Sequence, residues 1–183
     1  LNHLGYRVFI NIMQIDSIEK DEISKLSKEI ASWRTIEVLY FADSFGNMNP
    51  QSVVDVMTAI KRGWDGPIGI HTHDNKDLAL SNSMAAADFG AIFIDSTISG
   101  MGRGAGNAKT EYLLIELVKN NYGNYLYDAL FPIALEEFGM LHKKYNWGSS
   151  VYYYLSASYG IHPTYVQEML SDERYGIDNI LSA

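Results

Sequence analysis

Two histidines near the middle of the sequence are spaced for metal chemistry. His71 and His73 lie two positions apart in the segment GPIGIHTHDN, and a β-strand points side chains i and i+2 to the same face. A strand over residues 67–73 would present both imidazoles at its carboxyl end, while Ile68 and Ile70 pack against helices on the other face. Neutral imidazole is a common metal ligand. The pair therefore predicts a metal site, and the alternative is two polar side chains hydrogen-bonded to loop backbone.

Strand and helix signals alternate around this segment. Runs rich in β-branched and aromatic residues predict strands over 7–15, 35–43, 67–73 and 91–97. Apolar residues at helical spacing predict helices over 18–33, 76–89 and 108–119 and between Asn49 and Gly63, with Ser17 and Asn49 as N-caps. Repeated alternation predicts a parallel sheet with polar residues at the carboxyl end of each strand. A (β/α) barrel and an open doubly wound sheet both fit this pattern.

The composition argues against several classes of protein. The formal net charge is −8 and no basic run occurs, which argues against a nucleic-acid partner. The absence of cysteine excludes disulfides, thiolate metal ligands and a cysteine nucleophile. No apolar run approaches the ~20 residues that cross a bilayer, so we expect no membrane partner and take the cytoplasm as the default location.

The chain changes character after residue 121. Residues 122–183 contain no clear strand signal and many aromatic residues, and we predict a helical extension of three to five short helices. Pro132 and Pro163 are predicted to begin two of these helices. No low-complexity linker separates the two parts, so the extension is expected to pack on the α/β part. The predicted domains are therefore residues 1–121 and residues 122–183.

Three motifs in consistent order resemble a known family. They are DSFGNM, which begins at Asp43, then GIHTHDN, and then IDSTISGMGRGAGN, which ends at Asn107. Together they resemble the metal-dependent aldolase and lyase superfamily of (β/α)8 barrels. This superfamily includes 4-hydroxy-2-oxovalerate aldolase, 3-hydroxy-3-methylglutaryl-coenzyme A lyase, and the isopropylmalate and homocitrate synthases. The resemblance covers about residues 5–120.

The resemblance implies roles for individual residues. His71 and His73 would bind a divalent cation at the end of the seventh barrel strand, and Asn107 would ligate or border it. Asp43 would be a catalytic residue near the reacting centre. Tyr152 lies in a segment similar to a region after the barrel and is the second catalytic candidate. The candidate substrate-binding residues are Ser44, Thr97 and Arg103.

The chemistry that the resemblance implies is cleavage or formation of a carbon–carbon bond through a metal-bound enolate. The substrate would be a 2-oxo acid, such as a 4-hydroxy-2-oxo acid. Mn²⁺ or Mg²⁺ would hold its oxygens and stabilise the charge that develops, with Zn²⁺ as a further candidate. A homo-oligomer is expected.

The sequence also departs from the family pattern. The Asp-x-Thr-Leu-Arg-Asp-Gly type motif of the family's first strand, which provides a third metal ligand and an arginine, does not occur here. The four predicted strands would correspond to barrel strands five to eight. We therefore expect this chain to be the C-terminal half of the barrel, with the N-terminal half as its partner.

Other functions remain open from the sequence. Residues 100–105 match the dinucleotide-binding pattern G-x-G-x-x-A, but the acidic residue expected at the end of a following strand is absent. A Claisen-type acyltransferase of the isopropylmalate synthase kind is the alternative enzyme. The coenzyme A lyases carry a cysteine in the glycine-rich loop, which is Gly100 to Gly106 in this sequence, and this sequence has none. A metal-binding barrel protein without catalytic activity is the alternative from another class.

Overall fold

The computed structural model, which describes residues 1–182, contains a four-stranded parallel sheet. Its strands lie side by side in sequence order, β1-β2-β3-β4. They are β1 Phe9–Ile12, β2 Val38–Asp43, β3 Ile68–Thr72 and β4 Phe93–Ile94. The helices that follow them are α1 Lys20–Ser32, α2 Pro50–Lys61, α3 Ala79–Asp88 and α4 Thr110–Lys119. This confirms the predicted parallel α/β fold.

One face of the sheet carries the main hydrophobic core. Alternate residues of the central strands, such as Leu39, Phe41 and Ile70, are fully buried on this face. They share one cluster with side chains of α1 and α2, including Ile23 and Met57. Burial of each side chain of this size contributes about 1.5–3 kcal/mol. The core therefore fixes the register of β2 and β3, whose carboxyl ends carry the candidate site.

The opposite face of the sheet carries aromatic rings. Phe9, Tyr40 and Phe93 lie together there, with ring centroids 5.2 Å apart for Phe9 and Phe93. Gly69 makes room for this cluster, because a Cβ at that position would lie 2.4 Å from the Tyr40 ring. Phe9 remains 41% exposed. This open aromatic face continues toward the strand ends where the histidines lie.

Several predicted element boundaries are wrong. β1 ends at Ile12 because Gln14 adopts a left-handed conformation (φ 52) and a 3₁₀ helix, Ile15–Ser17, follows. Ser17 therefore ends a 3₁₀ helix, and Glu19 is the N-cap of α1. β4 pairs over only two residues instead of the seven predicted. The N-cap at Asn49 is confirmed, because its side chain accepts a hydrogen bond from the Ser52 amide at 2.9 Å.

The chain from residue 130 onward is helical. The segments are α5 Leu130–Pro132, a π-helical stretch Ile133–Glu137, α6 Phe138–Tyr145, α7 Val151–Tyr159, α8 Pro163–Ser171 and α9 Ile177–Ser182. Pro163 begins α8 as predicted, whereas Pro132 ends α5, so the predicted helix start at Pro132 is wrong. Within residues 1–182 no helix is long and apolar enough to cross a membrane.

These helices pack against the loops at the carboxyl ends of the strands. The indole of Trp147 donates a hydrogen bond to the Ser99 carbonyl at 2.9 Å. The Gly148 amide donates to the Gly104 carbonyl at 2.9 Å. Both acceptors lie in the glycine-rich region, so the helical segments hold this loop in place. A domain boundary at residue 121 stays a prediction.

Candidate functional site

His73 is buried at the end of β3 and is held by the neighbouring strand. Its Nδ1 lies 2.9 Å from the backbone oxygen of Asp43, the last residue of β2. A carbonyl oxygen only accepts, so Nδ1 carries the proton and the lone pair is on Nε2. Burial is the main cause that lowers the pKa of His73 to about 4, with a smaller contribution from the charges of His71, Arg103 and His162. The ring is therefore neutral near pH 7, as a metal ligand requires.

His71 is oriented in the same way by a carboxylate. Its Nδ1 lies 3.1 Å from Oδ2 of Asp95, which directly follows β4, so Nε2 again carries the lone pair. The His71 and His73 rings are nearly perpendicular, with centroids 4.9 Å apart. The side chain of Asp95 is 46% exposed. Its role as the partner of His71 was missed.

The glycine-rich loop brings Asn107 to the same place. Asn107 forms an isolated antiparallel bridge with His73. Its amide nitrogen donates to the Met101 carbonyl at 3.2 Å and to Oγ1 of Thr97 at 3.5 Å. The amide nitrogen donates both hydrogen bonds, so the oxygen Oδ1 is the atom of this side chain that can accept or ligate. Thr97 therefore orients Asn107 in the structure.

The donor set of this cluster fits a divalent cation. It offers two imidazole nitrogens and one amide oxygen, and borderline cations such as Mn²⁺ and Zn²⁺ accept both kinds of ligand. Each imidazole also donates its other N–H to an oxygen, which is the usual outer-shell arrangement of metal-binding histidines. Within the described residues no group of three or more His, Asp or Glu side chains is arranged to hold a metal. The amide oxygen of Asn107 is the oxygen that this cluster would offer to a cation.

The carboxylate of Asp43 lies away from the histidine rings. Asp43 pairs in register with Thr72, so its side chain points to the helix side of the sheet, opposite to that of His71. It is fully buried, and Oδ1 accepts from the amides of Asn47 at 3.0 Å and Met48 at 3.4 Å. Its contact with the histidine pair is through the backbone oxygen. The predicted catalytic carboxylate thus holds the loop after β2.

Burial also determines the charge of Asp43. Oδ2 is buried and has no hydrogen-bond partner in the part of the chain that the structure describes. This desolvation, together with a smaller effect of the Asp16 charge, raises the pKa of Asp43 to about 7. The side chain is therefore protonated in a large fraction of molecules at neutral pH.

Two further predicted residues are engaged with loop backbone. Ser44 is 1% exposed, and its hydroxyl oxygen accepts from the Gln14 amide at 2.9 Å. The carbonyl of Ser44 accepts from Nη2 of Arg103 at 3.4 Å, so Arg103 reaches across from the glycine-rich loop. These contacts join the loops that follow β1, β2 and β4. Substrate binding by Ser44, Thr97 and Arg103 stays a prediction.

The tyrosine beside Arg103 is Tyr153, one position after the one predicted. Tyr152 lines a cavity of about 390 Å³ formed by residues 152–181, among the last three helices. Tyr153 is 7% exposed and lies against Gly104, where a Cβ would be 3.0 Å from its ring. Burial raises the pKa of Tyr153, and the charge of Arg103 opposes this increase. A one-residue step on a helix turns the side chain by about 100°. Tyr152 and Tyr153 therefore face different parts of the molecule.

His162, which directly precedes the predicted helix start at Pro163, is a neighbour of the site that the sequence analysis did not identify. Its ring meets Phe45, in the loop after β2, edge to face at a centroid distance of 5.5 Å. Burial lowers the pKa of His162, and Arg103 lowers it further. Its position at a helix start was readable from the His-Pro pair, but its proximity to His73 arises only from tertiary packing.

The fold and these contacts define a parallel α/β protein with a histidine pair at the carboxyl ends of its strands. A family model described as HMGL-like matches residues 2–130, and the chain belongs to that family. A 4-hydroxy-2-oxovalerate aldolase of Geobacillus genomosp. 3 is 37% identical over 114 residues. The enzyme of that name from Pelotomaculum thermopropionicum is 35% identical over 119 residues. The resemblance drawn from the three motifs is thereby confirmed.

Solved structures share the fold. The N-terminal domain of a protein assigned as an aldolase in Bacteroides vulgatus matches 99% of this chain with a TM-score of 0.85 and 34% identity. The HMG-CoA lyase of Bacillus subtilis matches 80% with a TM-score of 0.68 and 20% identity, a likeness of fold alone. The matches to the two aldolases span 62% and 65% of this chain but only 34% and 35% of the aldolases themselves. The structural matches span 59% and 52% of the two solved chains.

Proposed function

We propose that this chain forms part of a divalent-metal-dependent aldolase that cleaves a 2-oxo acid, such as a 4-hydroxy-2-oxo acid. The observation that carries the proposal is the pair of imidazoles at one strand end, each with Nδ1 bound to an oxygen and Nε2 available. The family's aldolase relatives support the choice of reaction. We take Mn²⁺ or Mg²⁺ as the metal and Zn²⁺ as the alternative.

The residues that would hold the cation are His71 and His73 through Nε2, and Asn107 through Oδ1. A divalent cation bound there supplies a Lewis acid, which stabilises the negative charge that develops on the 2-oxo acid as the carbon–carbon bond breaks. Asp95 and the backbone of Asp43 fix the two rings in the required tautomer. The low pKa of His73 keeps its lone pair free of a proton over the physiological range.

Arg103 and Tyr153 are the groups of this chain that we assign to the substrate. A guanidinium binds carboxylates through its planar set of donors, and Arg103 is close enough to lower the pKa of His73. Tyr153 lies beside Arg103 and replaces Tyr152 as the tyrosine candidate. Asp43 has a positioning role in this proposal, through the loop amides and the His73 ring.

We also propose that the four strands are the second half of a (β/α)8 barrel. Three observations support this extension. The sheet is parallel and in sequential order, its aromatic face is open, and the curated relatives are about three times as long as the matched segment. An N-terminal barrel half would cover the open face and supply further ligands. Assembly as a homo-oligomer in the cytoplasm belongs to the same proposal.

Metal titration and turnover on the complete natural polypeptide test the proposal. We expect one Mn²⁺ per site, with at least 100-fold weaker binding in His71→Ala and His73→Ala, because each substitution removes a ligand. His3→Ala is the matched control, since His3 is exposed and lies in the 3₁₀ helix Asn2–Leu4. The wild-type protein should release pyruvate from 4-hydroxy-2-oxo acids only with metal present. Full metal occupancy in either histidine variant would show that the ligand assignment is wrong.

A further inference from the structure

We infer that Arg103 and His162 form a second anion-binding subsite beside the histidine pair. The inference rests on the proposed function and deepens it by naming the substrate class. The substrate would be a 2-oxo acid that carries a second anionic group, a carboxylate or a phosphate, at the end remote from the 2-oxo group.

The first argument is the environment of Arg103. Its side chain is half-buried, and none of the ion pairs within residues 1–182 includes it. Its hydrogen bond to the Ser44 carbonyl at 3.4 Å is long. Burying a guanidinium without a counter-ion is costly. In a chain of net charge −8, an arginine held without a carboxylate indicates that the missing anion comes from a ligand.

The second argument is the orientation of His162. Its Nδ1 accepts a hydrogen bond from the Thr164 amide at 3.3 Å, so the neutral ring carries its proton on Nε2. The ring is braced by Phe45. His162 therefore presents an N–H donor at a fixed position, while Arg103 presents a fork of donors. Donors of these two kinds suit an anionic oxygen.

The third argument is that both groups are close to the candidate metal ligands. Arg103 donates to the carbonyl of Ser44, and the ring of His162 contacts Phe45. Both contacts lie within two residues of Asp43, whose carbonyl accepts from His73. The subsite and the histidine pair can therefore contact one small molecule. Tyr153 and Gly104 form a wall beside Arg103. A 2-oxo acid whose first carboxylate is used at the metal would place a second anion near these donors.

A pair of 2-oxo acids of equal length tests the inference. 2-Oxoglutarate and 2-oxopentanoate differ only in a terminal carboxylate or methyl group. We measure the dissociation constant of each by calorimetry on the complete Mn²⁺-loaded polypeptide. A charge-assisted hydrogen-bonded pair gives about 10- to 100-fold tighter binding of 2-oxoglutarate. 2-Oxo-4-phosphonobutyrate forms a third arm, and the tighter of the two dianions identifies carboxylate or phosphate as the natural group.

Variants assign the selectivity to residues. Arg103→Gln should reduce the ratio of the two dissociation constants to about one, because it removes the charge. His162→Asn should reduce the ratio several-fold. Asparagine still caps α8 but is too short to reach the anion, and His162→Gln should restore part of the ratio. His3→Asn is the control, because His3 is exposed, and it should keep the wild-type ratio. The melting temperature of Arg103→Gln should be unchanged or higher, whereas a structural role would lower it.

The possible outcomes distinguish failure of the subsite from failure of the proposed function. Metal-dependent binding of both acids with equal affinity in the wild type would overturn the subsite and leave the proposed function standing. A large ratio that survives in Arg103→Gln and His162→Asn would overturn the assignment to these residues. Absence of metal-dependent binding of any 2-oxo acid would overturn the proposed function and the inference together.

Discussion

Asp43 and His73 are neighbours whose pKa values move in opposite directions for the same reason. Burial raises the pKa of Asp43 from 3.8 to about 7 and lowers that of His73 from 6.5 to about 4. Both side chains are therefore neutral over most of the interval between these values. Their effects on stability then oppose each other. Asp43 alone makes the free energy of unfolding fall as pH rises from about 4 to 7, because the folded state keeps a proton that the unfolded chain releases.

His73 alone makes the same free energy rise from about pH 4 to 6.5, because the unfolded chain binds a proton that the folded state lacks. Asp43→Asn removes only the first effect. We expect the unfolding free energy of the metal-free variant to increase with pH more steeply than that of the wild type. The slope should be larger by about 1.4 kcal/mol per pH unit between pH 4 and 6.5. Urea unfolding over this range measures the difference, and parallel curves would contradict the assigned pKa values.

Asp95 should control metal affinity without being a ligand. Asp95→Ala removes the acceptor that holds Nδ1 of His71, and loss of such an outer-shell partner costs about 10- to 100-fold in metal affinity. Asp95→Asn should retain more affinity, because its amide oxygen still accepts the hydrogen bond. Mn²⁺ titration compares these variants with Asp65→Ala, an exposed loop position. Equal affinity in Asp95→Ala and the control would show that His71 needs no such partner.

At the scale of elements, the glycine-rich loop leaves little room for an added side chain. Gly106 has a φ of +79, and a Cβ there would lie 2.3 Å from the Gly100 backbone oxygen. Gly106→Ala should lower the melting temperature by several degrees and weaken Mn²⁺ binding, because the adjacent Asn107 must move. Gly5→Ala is matched, since Gly5 also has a φ of +79 but nothing within 4 Å of the added atom. Gly5→Ala should lower the free energy of unfolding only by the left-handed backbone strain, about 1 kcal/mol. Its Mn²⁺ affinity should not change.

The elements also show how far sequence reasoning reaches. The order of strands and helices and the shared face of His71 and His73 follow from periodicity, because each is a property of a few consecutive residues. The early end of β1 depends on the backbone of Gln14, which no pattern marks. Asp43 was assigned to the site from the family resemblance, which matches it to an acidic residue at the mouth of a strand. A strand end places the Cα at the site, but side-chain alternation then turned the carboxylate toward the helices.

Contacts between segments that lie far apart in the chain could not be predicted from the sequence. The choice of Tyr153 over Tyr152 depends on the rotation of α7 against Gly104. The approach of His162 to Phe45 depends on how α8 packs on the loop after β2. Neither residue lies in a motif, and both are separated from the histidine pair by more than 70 residues of chain. Only the packed structure brings them together.

At the scale of the whole molecule, the open aromatic face should determine how these 183 residues behave when they are expressed by themselves. Phe9 is 41% exposed beside Tyr40 and Phe93. If a barrel half covers this face, the 183-residue segment expressed alone should bind the dye ANS and self-associate. The complete polypeptide should bind much less dye. Phe9→Gln should reduce the dye signal of the segment, whereas Leu126→Gln, at a position that is 91% exposed, should change it little.

The contact between His162 and the loop after β2 has a consequence for synthesis of the protein. His162 follows His73 by 89 residues. At translation rates of about 5–20 residues per second, the ribosome needs roughly 4–18 s to make the chain between them. During the second half of this interval the emerging polypeptide contains His71, His73 and Arg103, but it still lacks α8. The loop after β2 therefore spends several seconds of synthesis without the contact that His162 provides.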